Sequence, residues 1–206
     1  MKNNGMRVHP RRRFKVTTES NHNLPVAPNL PDREFSAAAP NKVWVGDITY
    51  VWTAEGWLHL ATVIDLFNRQ VAGFAMGERM GAQLAVDALR MAWFRRRPAA
   101  GLIFHSDRGS QYAGNLFAAQ IEAFKMRASM SRKGDCRDNA VAGSLFGSPE
   151  SESLDRHDFG TRRAARDEIM AWLATCNHTR LHSTLGSLGP MQFEKKWLAQ
   201  TEAEAE

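Results

Sequence analysis

The stretch VWVGDITYVW, residues 43–52, alternates strictly and sets Val43, Val45, Asp47, Thr49 and Val51 on one face. A period of two in β-branched and aromatic residues specifies a half-buried strand. WLHLATVIDL (57–66) and QVAGFAM (70–76) follow after the short connections TAEG and FNR, which predicts three antiparallel strands in succession. Asp65 is read as a turn residue closing the second of them. Asp47 is harder to place, because a carboxylate on an apolar strand face must be paired, protonated or metal-bound, or else sit at a wet edge. No basic residue occurs within its strand.

Downstream, AQLAVDALRMAWF (82–94) carries Leu84, Ala85, Ala88, Leu89 and Ala92 at helical spacing and runs into Arg95–Arg97 and Pro98. LIFHS (102–106) reads as a buried strand, NLFAAQIEAF (115–124) as a helix, MRASM (126–130) as a short strand and 131–138 as a loop. Helix is expected again from residue 139. TRRAARDEIMAWLATCN (161–177) puts Ala165, Ile169, Trp172 and Cys176 on one stripe and Arg162, Arg163 and Arg166 off it, the pattern of a helix docked on a core. The order is β-β-β-α-β-α-β-α-α, which describes an α/β fold with a mixed sheet covered by helices. The folded unit, including a C-terminal helical extension, is expected to span residues 41–198, with an acidic tail at 199–206.

Residues 1–40 lack a hydrophobic period and contain Pro10, Pro25, Pro28, Pro31 and Pro40, so they read as an extended linker or arm and not as a packed element. Its charge is concentrated. Lys2, Arg7, Arg11, Arg12, Arg13 and Lys15 are six of the 27 Lys and Arg, and residues 1–15 hold none of the 22 Asp and Glu, leaving 21 cations against 22 anions elsewhere. Such a segment suits sequence-independent contact with phosphates, although a solvated basic arm would look the same. Arg11, Arg12, Arg13 and Lys15, with Lys133 in the loop after the fifth strand, are the candidate DNA contacts. No apolar run reaches the roughly 18 residues of a membrane span, no signal-peptide pattern is visible, and Cys136 and Cys176 lack a CxxC partner, so a cytoplasmic protein with reduced thiols is expected. His178 and His182 are four apart but have no third ligand nearby, which favours ordinary surface or capping roles.

Asp107 ends the strand LIFHS and opens DRGSQY, at the kind of position where α/β sheets present functional groups; a strand-end turn or helix cap is the plainer alternative. Two carboxylates on neighbouring strands of a basic protein suit Mg²⁺ or Mn²⁺ in phosphoryl transfer. Such ions are hard, take carboxylate and substrate oxygens, and act in pairs about 3.5–4 Å apart. A third acid normally completes the clamp.

Four segments in order, WVGDITYVWTAEGWLHLATVIDLFNRQVAGF, HSDRGSQY, GDCRDNAVAGSLF and NHTRLHSTLGSLGPMQFE, resemble the catalytic core of bacterial insertion-sequence transposases of the DDE class, which are similar to retroviral integrases. The resemblance spans roughly residues 7–198. It implies a ribonuclease-H-like fold with a five-stranded mixed sheet flanked by helices, Mg²⁺ or Mn²⁺ dependence, and cleavage and transfer of DNA strands. By that match Asp47 and Asp107 are the catalytic and metal-binding aspartates, the partners are DNA (element ends and target) and either further copies of the chain or a full-length transposase, and the setting is the bacterial nucleoid. The family's glutamate follows its second aspartate after 35 intervening residues, in a pattern like DNAxAES, and here Asp138-Asn139-Ala140-Val141-Ala142 runs into Gly143.

Further departures gather nearby. Pro149 and Glu150 stand where leucine and lysine are usual, Arg137 where tryptophan is usual, and Cys176, Ser187 and Gly189 also differ from the pattern. Glu150 lies seven residues past Gly143, about 10 Å along a helix axis, with Pro149 interrupting, so neither it nor Glu152 is expected to replace the acid. Family members carry a helical DNA-binding segment ahead of the basic linker. Residues 1–40 hold no amphipathic helix, so the expectation is a truncated, catalytically impaired core without end-specific recognition. A non-catalytic DNA-binding or assembly subunit and a two-carboxylate nuclease remain open as alternatives.

The charge distribution generates one measurement. Replacing the six cations of residues 1–15 should weaken binding to any duplex and make the log–log salt dependence shallower by about 0.9 for each phosphate no longer neutralised. An unchanged slope would move DNA binding to the folded unit.

Overall fold

A computed structural model of the chain describes residues 22–32, 34, 36–133, 136–147 and 157–205. Its centre is a five-stranded sheet in the order β3-β2-β1-β4-β5. β1 (Val43–Thr53) and β2 (Gly56–Asp65) form a long antiparallel hairpin whose register runs from Trp44↔Asp65 to Thr53↔Gly56. β3 (Val71–Gly77) extends it antiparallel to β2, with an irregularity between Val63 and Ile64. On the other side of β1, the short β4 (Ile103–Ser106) and β5 (Arg127–Met130) are both parallel. The sheet is mixed and five-stranded, as the resemblance implies.

The alternation in β1 is used on both faces. Trp44, with Ala61, Val63 and Phe104 of the neighbouring strands, faces α1 (Ala82–Arg96) and α3 (Asn115–Ala123). Val45, Val51, Leu58 and Leu60 face the opposite way, towards Ala142, Leu145 and Phe146 of α4 (Ala140–Gly147) and Ala165, Ile169 and Trp172 of α5 (Arg162–His178). The stripes predicted for α1 and α5 are the buried ones. α1 can lie against β3 because Gly73 lacks a side chain: a Cβ there would come within 2.4 Å of both the Ala88 carbonyl and the Ala92 amide nitrogen.

Two helices were not foreseen. The four-residue α2 (Ser110–Ala113) begins within DRGSQY and is too short to show a period. α6 (Pro190–Ala205) begins at a proline, which is favourable at a first helical position, and absorbs most of the expected acidic tail as helix. It is held where the hairpin's second turn meets it. Phe67 packs on Phe193 and Trp197, and Glu194 accepts from Arg96 and from Asn68. Asp65 ends β2 within this cluster as a fully buried turn residue. Burial pushes its pKa up, against N–H donation from Asn41 and Phe67 and the nearby Arg96 guanidinium.

Both outer strands have covered edges. At β3, the Asn177 side chain exchanges two hydrogen bonds with the Val71 backbone, of 2.8 and 3.1 Å, and Arg166 donates to the Met76 carbonyl. At β5, residues of the N-terminal arm lie alongside: the Leu30 N–H donates to Ser129 Oγ at 2.9 Å and the Met130 N–H to the Pro28 carbonyl at 3.4 Å. The described part of the arm contains neither helix nor strand, yet it is docked, with Leu24 and Ala27 against the core.

Two glycines should respond oppositely to a side chain. Gly73→Val forces backbone atoms of α1 away and is expected to lower stability by about 1–3 kcal/mol or more. Gly143 lies exposed within α4, and a Cβ at this position would meet nothing within 4 Å, so Gly143→Ala should raise stability by up to about 1 kcal/mol. Urea unfolding midpoints at unchanged slope measure both.

Candidate active site

Parallel pairing of β1 with β4 stops at Val45↔His105. Asp47 and Asp107 each lie two residues past that pair, and two residues restore the original face of a strand, so the register carries both to one level of the sheet where the strands part. They line a common cleft with Ile48, Tyr50, Met80, Gln111 and Tyr112. Tyr112, on α2, is buried, and its phenol is pushed up first by burial and then by the negative charges of both Asp47 and Asp107. One carboxylate oxygen in each is oriented locally: Asp47 Oδ1 accepts from the Ile48 N–H and Asp107 Oδ1 from the Gly109 N–H, both at 2.9 Å.

Half-burial separates this pair from Asp65. Asp47 and Asp107 are partly open to the cleft, whereas Asp65 is sealed. Two carboxylates suit a hard divalent cation whose shell is completed by water or phosphate oxygens, although they make an incomplete cage. Among the described residues no three His, Cys, Asp or Glu side chains gather as a metal cluster. A larger cavity of about 230 Å³ lies between the arm, α2, α3 and β5; it is lined mainly by apolar side chains and contains neither carboxylate.

A second group of residues, only part of it within the matched segments, adjoins the pair. His105 is buried in β4, where its Nε2 lies 3.0 Å from the Asp138 carbonyl and its Nδ1 2.8 Å from Ser129 Oγ. A carbonyl only accepts, so Nε2 carries the proton and Ser129 donates to Nδ1. Burial lowers the His105 pKa in spite of the neighbouring Asp138 and Asp107. The Asp138 carboxylate is itself buried and receives four donors: the Asn29 amide, the Arg132 backbone N–H, and Arg132 Nε and Nη2, all at 2.9–3.0 Å. Asn139 places its amide nitrogen 3.5 Å from the carbonyl of Gly46, the residue before Asp47. The start of α4 is thus tied to both carboxylate-bearing strands. The available signals were a histidine within an apolar strand, since a buried ring must find partners, and the presence of His105, Asp138 and Asn139 in the matched segments.

Gly143 follows Asn139 by four residues, within α4, and is exposed where Asn139 is buried. Lys133 is exposed in the loop after β5, beyond the strand end on the same side of the sheet as Asp107. Arg11, Arg12, Arg13, Lys15, Pro149, Glu150 and Glu152 lie outside the described residues. Trp52 and Trp57, paired edge to face across the hairpin, are 57% and 45% exposed, so they are surface residues and not core. No helix of the described chain is long and apolar enough to cross a membrane.

Residues 37–136 and 125–190 match the integrase core domain family. The chain is 46% identical over 193 residues to the insertion element IS600 31 kDa protein of Shigella sonnei, covering 93% of this chain and 71% of that one. It is 44% identical over 200 residues to the transposase InsF of insertion sequence IS3A from Escherichia coli K12, covering 97% and 69% respectively. The catalytic core domain of HTLV-2 integrase, solved in complex with magnesium, superposes with a TM-score of 0.57 at 16% identity, over 76% of this chain and 98% of that one. With the ribonuclease-H-like fold, the integrase core and these relatives in agreement, the chain belongs to the insertion-sequence transposases built on an integrase core domain.

Proposed function

We propose that this chain serves DNA transposition as an integrase-type core in which Asp47 and Asp107 hold Mg²⁺ or Mn²⁺ and Gly143 occupies the place of the third acid. Cation and DNA binding persist in this reading, while strand cleavage and transfer are severely impaired. The observation that carries it is the common two-residue offset of Asp47 and Asp107 beyond the Val45↔His105 pair. The shared cleft and the influence of both charges on Tyr112 support the same pairing. A bound cation would offset negative charge on a phosphoryl group at the cleft. The chain's own part is to orient the two carboxylates through Ile48 N–H and Gly109 N–H and to hold their strands in register.

Position 143 gives the reading its negative half. It lies on the exposed side of α4, one turn beyond the Asn139 contact with β1, and the space around it is open. By the family match, a glutamate at this position would supply the third acid. Glycine supplies no oxygen ligand, so a second cation lacks a fixed seat. The partners on this reading are DNA and other transposase copies on the bacterial nucleoid, with Lys133 and the basic residues Arg11, Arg12, Arg13 and Lys15 on the phosphates. Gly143 equally favours a non-catalytic DNA-binding or assembly role; nonspecific nicking by the unmodified chain would instead indicate a two-carboxylate nuclease.

Mn²⁺ should raise the melting temperature by mass action, weakly because the cage is incomplete, and Asp47→Asn should abolish the rise. A metal-independent melting temperature in the parent would dissolve the proposed pair. Gly143→Glu alone should restore little activity. Gly143→Glu with Pro149→Leu and Glu150→Lys, carrying a helical DNA-binding segment ahead of residue 7, should regain Mn²⁺-dependent strand transfer on a matching element end. If the unmodified chain already joined ends at a comparable rate, with Asp47→Asn inactive, residue 143 would not need to be acidic.

A further inference from the structure

The docked arm reaches the candidate site at two points. His22 Nδ1 accepts from the Leu24 N–H at 3.2 Å, which leaves the proton on Nε2, and Nε2 donates to the carbonyl of Arg108 at 2.8 Å. Arg108 is the residue after Asp107, and its Nε donates in turn to the Ser131 carbonyl at 2.6 Å. Seven residues further along the arm, Asn29 donates to the buried Asp138 carboxylate at 3.0 Å, while its own Oδ1 accepts from the Asp32 N–H. Asp32 also pairs with Arg132, the residue that grips Asp138.

Next to Asn29, a relay of hydrogen bonds runs from the arm through the sheet to the backbone of Asp138. The Leu30 N–H donates to Ser129 Oγ, Ser129 donates to His105 Nδ1, and His105 Nε2 donates to the Asp138 carbonyl. Between its two polar ends the arm is fastened by Leu24 and Ala27 on the apolar core. An extended segment with no internal hydrogen-bond ladder gains little by ordering itself; here its order is fixed by groups that belong to the Asp107 loop and to the start of α4.

We propose that His22 and Asn29 are positioning residues, bracing from the arm the loop that carries Asp107 and the turn that starts α4, so that the geometry of the cation site depends on the arm being docked. This rests on the reading of Asp47 and Asp107 as the cation-holding pair. Neither residue touches the cation or the DNA phosphates in this scheme; each acts through Arg108 or Asp138.

The test uses the full chain, with Mn²⁺ alone as the probe. Mn²⁺ binding is followed by electron paramagnetic resonance, and amide hydrogen exchange is followed by segment. In His22→Ala/Asn29→Ala, Mn²⁺ affinity should fall about tenfold, and exchange in 107–113 and 139–146 should quicken by a similar factor, the scale of losing a hydrogen bond to a charged group. Exchange in β2, β3 and α1 should match the parent. Asn29→Asp sets two carboxylates together and should behave like the double variant, whereas His22→Gln keeps an amide donor for the Arg108 carbonyl and should match the parent in both readouts. Uniformly faster exchange, local loosening without a change in Mn²⁺ affinity, or a His22→Gln variant that loses both readouts would each overturn the bracing role. A parent that binds no Mn²⁺ would overturn the reading of the carboxylate pair, and exchange in these variants would then decide the brace by itself.

Discussion

Three backbone pairs between β1 and β4 set the geometry on which the molecule's chemistry depends. β1 is long and has a full partner in β2, but β4 stops after four residues. From Gly46 onward one side of β1 is therefore released from the ladder. The gap is occupied by α2 and by the first turn of α4. A longer β4 would have continued the parallel pairing past Asp47 and filled the space in which two carboxylates now face each other's strand. The close of a short ladder thus creates the cleft.

Carboxylates of similar origin end in different states according to what surrounds them. Asp65 and Asp138 are both sealed from solvent and both gripped by N–H donors and an arginine, which fits them for holding turns in place. Asp47 and Asp107 each receive a backbone N–H on one oxygen and face a solvent-connected cleft. Sealing fixes a carboxylate's partners, and partial exposure leaves its charge available to an incoming group. The distinction is one of environment alone, since all four are aspartates at or just beyond the ends of regular elements or within a strand.

What the sequence disclosed follows the range of the interaction involved. The strands of the hairpin, and the stripes of α1 and α5, were legible because their apolar period is local and the burial follows it residue by residue. Asp47 was conspicuous because it breaks an apolar face, and Asp107 because it ends an apolar run. The brace around Asp138 was not legible, since Asn29 lies 109 residues away from it and His105 33 residues away. α6 was missed for a related reason: Phe193 and Trp197 pack on Phe67, a turn residue, so the helix has a small apolar contact in place of a broad stripe. The proline content of residues 22–32 suggested an extended, unpacked segment and carried no information about docking, which depends on side chains supplied by β5 and on the Asp107 loop.

The covered margins of the sheet have a consequence for how copies of this protein can meet. An exposed strand edge offers a template for another chain, and such templates lead to domain swapping and aggregation. Here Asn177 and Arg166 occupy backbone groups of β3, and the arm lies along β5. At those positions a second chain cannot be admitted by extending the sheet without first displacing a side chain or peeling off the arm. Any contact between copies of this chain is thereby steered to helix and loop surfaces, and the segment that guards one margin against sticking is the same one that reaches the candidate site.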